Sequence, residues 1–291
     1  MSTQKSVKKG LDKESFTDGI RVILRDREYK ETLVIVEGPT DKKLFSKLIT
    51  ADIEVSNGVD LLIFAVSKLS KEKEFADRVI GIRDADFLHL DKKVGGTNIF
   101  LTDFHDAEMM ILSCDKAYLG VAYEYLPLTP KDDNEYLPLT IKGDYLTLRE
   151  KILKSIAFIG GLRWINDSDD LVLNFKKHPI GNYYKGKSLD EEACLKMIMQ
   201  RSESKKRGVS KKEIMMKIEN ISDYFNLCNG HDFQRAFAIH ITERTKKGVS
   251  EDTIARMFRI AYEFTSFQKT DLYQQLKNWS DARSKELFRQ D

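Results

Sequence analysis

The feature that most constrains the fold is an apolar run that ends in a carboxylate. Residues 33–41 read LVIVEGPTD, so β-branched residues lead into Glu37 and a Gly-Pro turn follows. About one strand–helix–strand unit later, a second apolar run ends in the segment IRDADF at 82–87, which carries Asp84 and Asp86. Carboxylates that gather at strand ends repel one another unless a cation neutralises them. The sequence therefore predicts a divalent-metal site.

Strands that alternate with helices predict an α/β fold with a parallel sheet flanked by helices in the first part of the chain. Apolar runs predict strands at 33–37, 61–66, 79–83 and 98–101. After the last of these, helical patterns dominate, which indicates a mostly helical C-terminal domain. We expect the ligand site at the carboxyl ends of the strands, where open α/β sheets bind ligands.

The predicted domain boundary lies at a short duplication. The segment EYLPLT occurs twice, starting at Glu124 and at Glu135, with prolines and a KDDN turn that argue against regular structure. It is interpreted either as a tandem duplication in a surface connection or as a partner-binding loop. The predicted organisation is an N-terminal lead-in helix at 1–30, a catalytic α/β domain at 31–125, a connecting loop at 126–143 and a helical domain at 144–291.

Composition limits the classes of partner and compartment. The 291 residues are 41% hydrophobic and 32% charged, as in globular proteins, and the net charge of +2 is nearly balanced. A nucleic-acid surface must therefore come from local clustering, such as the basic residues between 201 and 212. The three cysteines form no CxxC pair, which argues against a disulfide framework or structural zinc. Without a signal peptide or a membrane-length apolar run, we expect a cytoplasmic protein that does not enter a membrane.

The predicted ligands are carboxylates from separate parts of the chain. Glu37, Asp84 and Asp86 stand at strand ends, and Asp86 points to the same side as Asp84 while the chain stays extended. Asp41, one turn after Gly38, can swing back over the same edge. A fifth ligand, Glu108, follows from the segment TDFHDAEMM, in which three other residues are rivals for the role. These rivals are Asp103, His105 and Asp106.

Hard oxygen ligands of this kind suit Mg²⁺ or Mn²⁺ better than Zn²⁺. Two such ions can hold a phosphodiester, one activating water and the other stabilising the leaving oxygen. Glu37, Asp84 and Asp86 are then the predicted catalytic residues, with Glu37 acting as a metal ligand or as a general base. Gly38 lets a phosphate or an ion approach the backbone closely.

Together the two motifs resemble the Toprim domain, the catalytic fold shared by topoisomerases, primases and OLD-type nucleases. The resemblance places Glu37 as the strand-ending glutamate and Asp84 with Asp86 as the DxD pair, and Asp41 makes the first motif similar to the OLD-type nucleases. It also implies a basic residue near the metals, and five residues are candidates for it. They are Lys42, Lys43, Arg83, His105 and His231.

The series VEGPTDKKLF, DAD, TDFHDAEMM and the late NGHDF at 229–233 resembles one Toprim subfamily, the AriB-like nuclease effectors of PARIS anti-phage systems. It spans residues 30–240 and is sharpest in the first 110. The resemblance implies an effector held inactive by an ABC-type ATPase subunit, AriA. A phage trigger protein releases it, and it then forms a homodimer and cleaves host tRNA in abortive infection.

Other readings of the motifs fit less well. Topoisomerase or primase chemistry needs a further DNA-binding or template-binding module, which the sequence does not show. Haloacid-dehalogenase phosphatases place their DxD after the first strand, whereas Glu37 occupies that place here. The GxxxxGK[ST] motif of ATPases and the GxGxxG motif of dinucleotide-binding folds are absent. A non-catalytic sensor or scaffold with a vestigial metal site remains the alternative.

Overall fold

The chain forms a parallel sheet and a set of helices, and the computed structural model describes residues 2–127, 140–176, 180–185 and 188–288. The strands are β1 Leu33–Val36, β2 Asp52–Val55, β3 Val79–Arg83, β4 Ile99–Leu101, β5 Tyr184–Lys185 and β6 Ser188–Leu189. The helices before residue 128 are α1 Ser2–Arg25, α2 Pro39–Leu48, α3 Val59–Leu69, α4 Ala107–Ser113 and α5 Asp115–Tyr125. Those after it are α6 Thr140–Ser168, α7 Glu191–Arg201, α8 Lys211–Ile218, α9 Tyr224–Leu227, α10 Gly230–Thr245, α11 Glu251–Ala261, α12 Phe264–Phe267 and α13 Asp271–Asp281, with a 3-10 turn at Ile180–Asn182.

The contacts divide the chain into two compact units. The first runs up to Leu88 and includes Lys92–Asp103 and the chain from Glu263 onwards. The second contains His89–Asp91 and Phe104–Tyr262. Within the described residues, no helix is both long and apolar enough to cross a membrane.

In the first unit, the strand order β2-β1-β3-β4 is parallel throughout, as the sequence predicts for its sheet. The chain steps outward from β1 to β2 and then crosses back over β1 to β3. Right-handed crossovers therefore put α2 and α3 on opposite faces of the sheet. Leu33 and Ile35 of β1 pack in one cluster with α1 and α3, while Val34 and Val36 are fully buried on the other face.

The second predicted strand is wrong. Residues 61–66 lie inside helix α3, and β2 is formed by the polar segment Asp52–Val55. The buried residues of α3 recur with helical spacing at Leu62, Ala65, Val66 and Leu69. A helix covered along most of its length carries a continuous apolar run, which periodicity alone cannot distinguish from a buried strand.

The units also differ from the linear division that the sequence predicted. The N-terminal part of the first unit ends at Asp103 rather than at 125, because α4 and α5 pack with the later helices. For example, the ring centroids of Tyr118 in α5 and Phe258 in α11 are 6.3 Å apart. The last helices return to the first unit, where Trp279 donates to Asn98. Most of the predicted connecting loop at 126–143 lies outside the described residues, and α6 already begins at Thr140.

Helix α6 runs through the second unit and contacts α5, α8, α9 and α10. Its close approach to the neighbouring helices depends on two adjacent glycines. A Cβ on Gly160 would lie 2.5 Å from the carbonyl oxygen of Leu227, and a Cβ on Gly161 would lie 2.6 Å from Ile218 Cγ2. The glycines therefore set how closely α8 and α9 pack on α6.

We expect Gly160→Ala to lower the unfolding free energy by on the order of 2 kcal/mol, because the methyl group meets backbone that cannot move aside. The matched control is Gly143→Ala in the same helix, where a Cβ meets nothing within 4 Å. That variant should be neutral or stabilising by up to about 1 kcal/mol through helix propensity. Urea denaturation of the two variants measures the difference, and equal stabilities would contradict the close packing of α6 on α9.

Candidate metal centre

The site is built where two neighbouring parallel strands end. Strands β1 and β3 pair in register with Val36 opposite Ile82, and the chain continues into Glu37 on one side and towards Asp84 on the other. Because β2 lies beyond β1 and β4 beyond β3, these two ends form the point at which the strand order reverses. Open α/β sheets bind ligands at such a point.

The structure brings Glu37 next to the second acidic motif. Its Oε1 accepts a hydrogen bond of 3.2 Å from the backbone N–H of Asp84. A glutamate and an aspartate separated by 47 positions in the sequence thus lie at one edge because their strands are neighbours. This contact positions the Glu37 side chain over the end of β3.

Burial raises the pKa of Glu37 from 4.5 to about 7. The negative charge of Asp86 is the next cause, and Asp41 adds to it. The guanidinium of Arg83 and the hydrogen bond from Asp84 act in the opposite direction but do not offset the burial. Near neutral pH, the Glu37 carboxyl is therefore poised between its protonated and ionised forms.

Asp86 departs from the expected extended geometry. Strand β3 ends at Arg83, and Asp86 adopts a left-handed conformation with φ of 47°. Between them, the fully buried Ala85 donates its N–H to Thr102 Oγ1 at 3.0 Å, which anchors the turn to the segment after β4. Asp86 remains half exposed, and its Oδ2 lies 3.8 Å from Nη2 of Arg83. The sequence suggested that the two aspartates project from one continuous strand, and the structure shows that they do not.

Asp41 has a structural task at this edge. It stands at the third position of α2 and its Oδ2 accepts the N–H of Gly38 at 2.8 Å, which closes the turn after Glu37. Asp41 is buried, with 8% of its surface exposed. Gly38 has an extended backbone with φ of −137°, which any residue can adopt, and a Cβ there would meet Asp41 Oδ2 at an ordinary contact distance of 3.4 Å.

Glu108 belongs to the second unit, and it is buried among residues of that unit. Burial, and after it the negative charge of Asp106, raises the pKa of Glu108. The positive charge of His231 acts in the opposite direction. A Cβ on Gly230 would come within 2.2 Å of Glu108 Cβ, so the segments TDFHDAEMM and NGHDF pack tightly against each other. Within its unit, Glu108 is part of this packed junction.

The three rivals of Glu108 also have identifiable contacts. Asp103 accepts the N–H groups of Asp271 and Leu272 at 2.8 and 2.9 Å and so caps α13. Asp106 caps α4 and also accepts from Asn229 and from the N–H of Gly230 at 2.8 Å. His105 is buried, and its N–H donates to the carbonyl of Phe225.

Among the basic candidates, Arg83 is the one that the structure places beside the acidic edge of the first unit. Its side chain is 16% exposed, and its buried Nε has no hydrogen-bond partner among the described residues. Lys42 instead lines a cavity beside β2 with Ser46 and Asp52, and Lys43 is exposed on α2.

The last basic candidate, His231, lies in the second unit. Its Nδ1 is 3.1 Å from a carboxylate oxygen of Glu251, and this hydrogen bond raises the pKa of the imidazole to about 9. The His231 side chain is therefore held in an ion pair.

The basic cluster between 201 and 212 is largely neutralised by carboxylates. Arg207 pairs with Asp169 and Glu213, and Lys206 pairs with Asp170. Lys211 pairs with Glu191 at 2.8 Å. The local similarity of the helix joints is explained by capping, since Ser210 accepts the N–H of Glu213. The cluster therefore offers less positive charge to phosphate than its sequence indicates.

The residues at this edge could give a magnesium-type ion only one or two direct protein ligands. Within the described residues, no group of three or more His, Cys, Asp or Glu side chains is arranged to hold a metal ion. Mg²⁺ commonly takes one or two carboxylates and completes its shell with water. Glu37 with Asp84 or Asp86 can provide such a pair. The buried Glu37 carboxylate is repelled by the charge of Asp86, and a cation would stabilise that arrangement.

Sequence reasoning missed the polar residues that hold these turns. The hydroxyl oxygen of Thr102 accepts the backbone N–H of Ala85. The hydroxyl of Ser56 donates to the carbonyl of Val36, just before Glu37, at 3.0 Å. A threonine or serine directly after a strand is the only signal that they leave in the sequence, and it is too common to be specific.

Comparison with known proteins adds no assignment. No family model matches this sequence, and no curated protein matches it either. The function is therefore inferred from the site and from the motifs.

The raised pKa of Glu37 predicts a stability difference in metal-free protein. The folded state keeps the proton to a higher pH than the unfolded chain, so the unfolding free energy should fall as pH rises from about 4.5 to about 7. Relative to Glu37→Gln, the wild type should lose about 2 to 3 kcal/mol over this range. Urea denaturation in EDTA measures it, with the exposed Glu31→Gln as the control. Parallel profiles for wild type and Glu37→Gln would show that Glu37 is not desolvated.

Proposed function

We propose that this chain is a Mg²⁺- or Mn²⁺-dependent endonuclease that hydrolyses phosphodiester bonds. The observation that carries the proposal is the meeting of Glu37 and Asp84 at the carboxyl edge of the parallel sheet, at the reversal of strand order. A desolvated glutamate beside further carboxylates is unfavourable unless a positive charge compensates it. A divalent ion and the phosphate that it binds provide a reason for this arrangement.

Glu37 has two roles open to it, and its environment suits both. With a pKa of about 7 it gives up its proton near neutral pH to become a ligand, or accepts one as a general base. The N–H of Asp84 holds the carboxylate in one orientation. Asp84 and Asp86 are the remaining carboxylates proposed to hold ions at this edge. When bound, two divalent ions would supply charge neutralisation of the phosphate and activation of water.

Arg83 is the proposed basic residue for the developing phosphate charge. It combines a mostly buried stem with a guanidinium whose Nη2 lies 3.8 Å from Asp86. Its planar fork of donors matches phosphate oxygens, and its buried Nε has a hydrogen bond still to make among the described residues. A fixed donor in a partly desolvated site stabilises a transition state more than one in water.

The proposed substrate and cellular role rest on the Toprim motifs and not on the geometry. In this proposal, the chain is an AriB-like effector of an anti-phage abortive-infection system. An ABC-type ATPase subunit of the AriA kind holds it inactive, a phage trigger protein releases it, and the freed homodimer cleaves tRNA in preference to DNA.

The alternative is a non-catalytic Toprim-fold sensor or scaffold in a defence complex. One observation favours it: the described residues contain no three-residue metal group. A site that has lost its ions would keep the fold and the acidic edge while binding no metal. Metal affinity therefore separates the two candidates.

Cleavage by the purified chain is the direct test of the proposed activity. Incubation with tRNA and with DNA in Mg²⁺ or Mn²⁺ should give products, and Glu37→Gln should reduce the rate by about 10² to 10⁴-fold. Glu31→Gln, an exposed glutamate in the same unit, should keep the wild-type rate.

If no cleavage is seen, calorimetric titration with Mn²⁺ distinguishes the possible explanations. Binding that Glu37→Gln weakens, without cleavage of either nucleic acid, would indicate a metal protein that still needs an activating step. No Mn²⁺ binding at all would favour the scaffold. Cleavage that is unchanged in Glu37→Gln would sink the proposed active site.

Removal of Arg83 should affect both rate and pH dependence. Arg83→Ala is expected to lower kcat by about 10² to 10³-fold, as loss of one charged donor does in a preorganised site. Because Arg83 lowers the pKa of Glu37, the acidic limb of the pH–rate profile should also move to higher pH. Arg83→Lys should restore part of that limb, and Lys43→Ala serves as the control. An unchanged profile would show that Arg83 does not act on Glu37.

A further inference from the structure

The second unit contains a cavity that the proposed nuclease site does not use. It has a volume of about 720 Å³ and lies between α6, α10 and the β5–β6 hairpin. This volume is in the range of small-molecule binding sites, which lie between about 300 and 1,000 Å³. Four lining residues, Leu148, Lys151, Ile152 and Ser155, recur on one face of α6.

The rim of this cavity carries more positive than negative charge. Lys151 and Lys154 on α6 and Arg244 on α10 are exposed residues that line it. Among the described residues, no carboxylate oxygen lies within 4.0 Å of their nitrogens. Two carboxylates, Asp144 and Glu191, also line the cavity, and that of Glu191 is paired with Lys211 of α8. Three cations therefore face one remaining carboxylate, and this excess of positive charge favours an anion.

The floor is apolar but not featureless. Tyr145 and Tyr184 are 8% and 2% exposed and lie in the lining with Ile152. Tyr145 is fixed by donating its hydroxyl to the carbonyl of Pro127 at 2.9 Å. Ser155 donates its hydroxyl to the carbonyl of Ile152 at 2.7 Å, and its Oγ lies 3.4 Å from the hydroxyl oxygen of Tyr184. The floor thus offers a ligand the Tyr184 hydroxyl as a donor and the Ser155 oxygen as an acceptor.

We propose that this cavity binds a nucleoside monophosphate, either free or as one nucleotide of an RNA strand. Phosphate would lie against the cations of the rim, and the base and ribose would lie over the aromatic and hydroxyl-bearing floor. Inorganic phosphate would leave the apolar floor in water. An alkyl anion would cover the hydroxyls of Tyr184 and Ser155 without offering them heteroatoms. A planar, hydrogen-bonding body with a phosphate satisfies both parts of the cavity.

The test measures binding to the full chain by calorimetry in EDTA, so that it does not depend on the proposed metal site. AMP, GMP, CMP and UMP are titrated alongside adenosine, inorganic phosphate and a short single-stranded oligoribonucleotide. At least one mononucleotide should bind about tenfold or more tightly than adenosine and inorganic phosphate. A tighter oligoribonucleotide would identify an RNA strand as the source. A mononucleotide that the oligomer does not displace would identify a free nucleotide.

Charge reversal locates the binding. Lys151→Glu with Lys154→Glu should weaken mononucleotide binding by at least about tenfold. The matched control reverses Lys196 and Lys212, two exposed lysines that do not line the cavity, and should stay within about twofold. Tyr184→Phe removes the floor hydroxyl and tests base contact with little change of volume.

Three outcomes would overturn the proposal: no mononucleotide binding up to millimolar concentration, phosphate binding as tight as nucleotide binding, or equal weakening by the control. Glu37→Gln must leave nucleotide affinity unchanged. Failure of cleavage and failure of this cavity are therefore recognised separately.

Discussion

The hydrogen bond from the backbone N–H of Asp84 to the Glu37 carboxylate is the contact on which the acidic edge depends. It exists because β1 and β3 pair side by side, in parallel, so that the residues after their last pairs emerge together. Parallel pairing in turn requires the crossover through α3, whose buried face packs with β1 in the core. The core and the site are therefore connected through one strand pair.

That edge is held in place by groups that are not themselves reactive. Asp41 closes the turn after Glu37, and Thr102 anchors the turn before Asp86. Each satisfies a backbone N–H that would otherwise be unpaired in a partly buried loop. The result is a carboxylate at Glu37 whose position is fixed while its charge is disfavoured. This is the combination expected where a cation or a proton is to be bound.

The helical unit holds several of its charges in ion pairs and buries most of its aromatic residues. Asp232 lies against Arg163 at 2.9 Å, and the basic joint before α8 is neutralised by neighbouring carboxylates. Lys151, Lys154 and Arg244 instead make no ion pair with the described residues and line one cavity together. The proposed nucleotide would place its phosphate beside them.

The sequence by itself determined the strands that lead to Glu37 and Asp84 and the parallel character of the sheet. It also determined the change along the chain from alternating strands and helices to mostly helices. These follow from local periodicity and from residue chemistry at strand ends. It could not distinguish α3 from a strand, because burial on most sides erases helical periodicity. Nor could it show that Asp103 and Asp106 accept the backbone N–H groups of Asp271 and Gly230, since these bonds join residues that only folding brings together.

Only the tertiary structure decided which charges are compensated. The sequence of the joint at 205–212 indicates a phosphate surface, yet distant carboxylates neutralise it, Asp169 after α6 and Glu191 of α7. Lys151 and Lys154 look ordinary in sequence, but the fold sets them with Arg244 around one cavity, where cations outnumber the lining carboxylates Asp144 and Glu191. Electrostatic free energy depends on distances and burial across the whole fold, and residue order does not contain them.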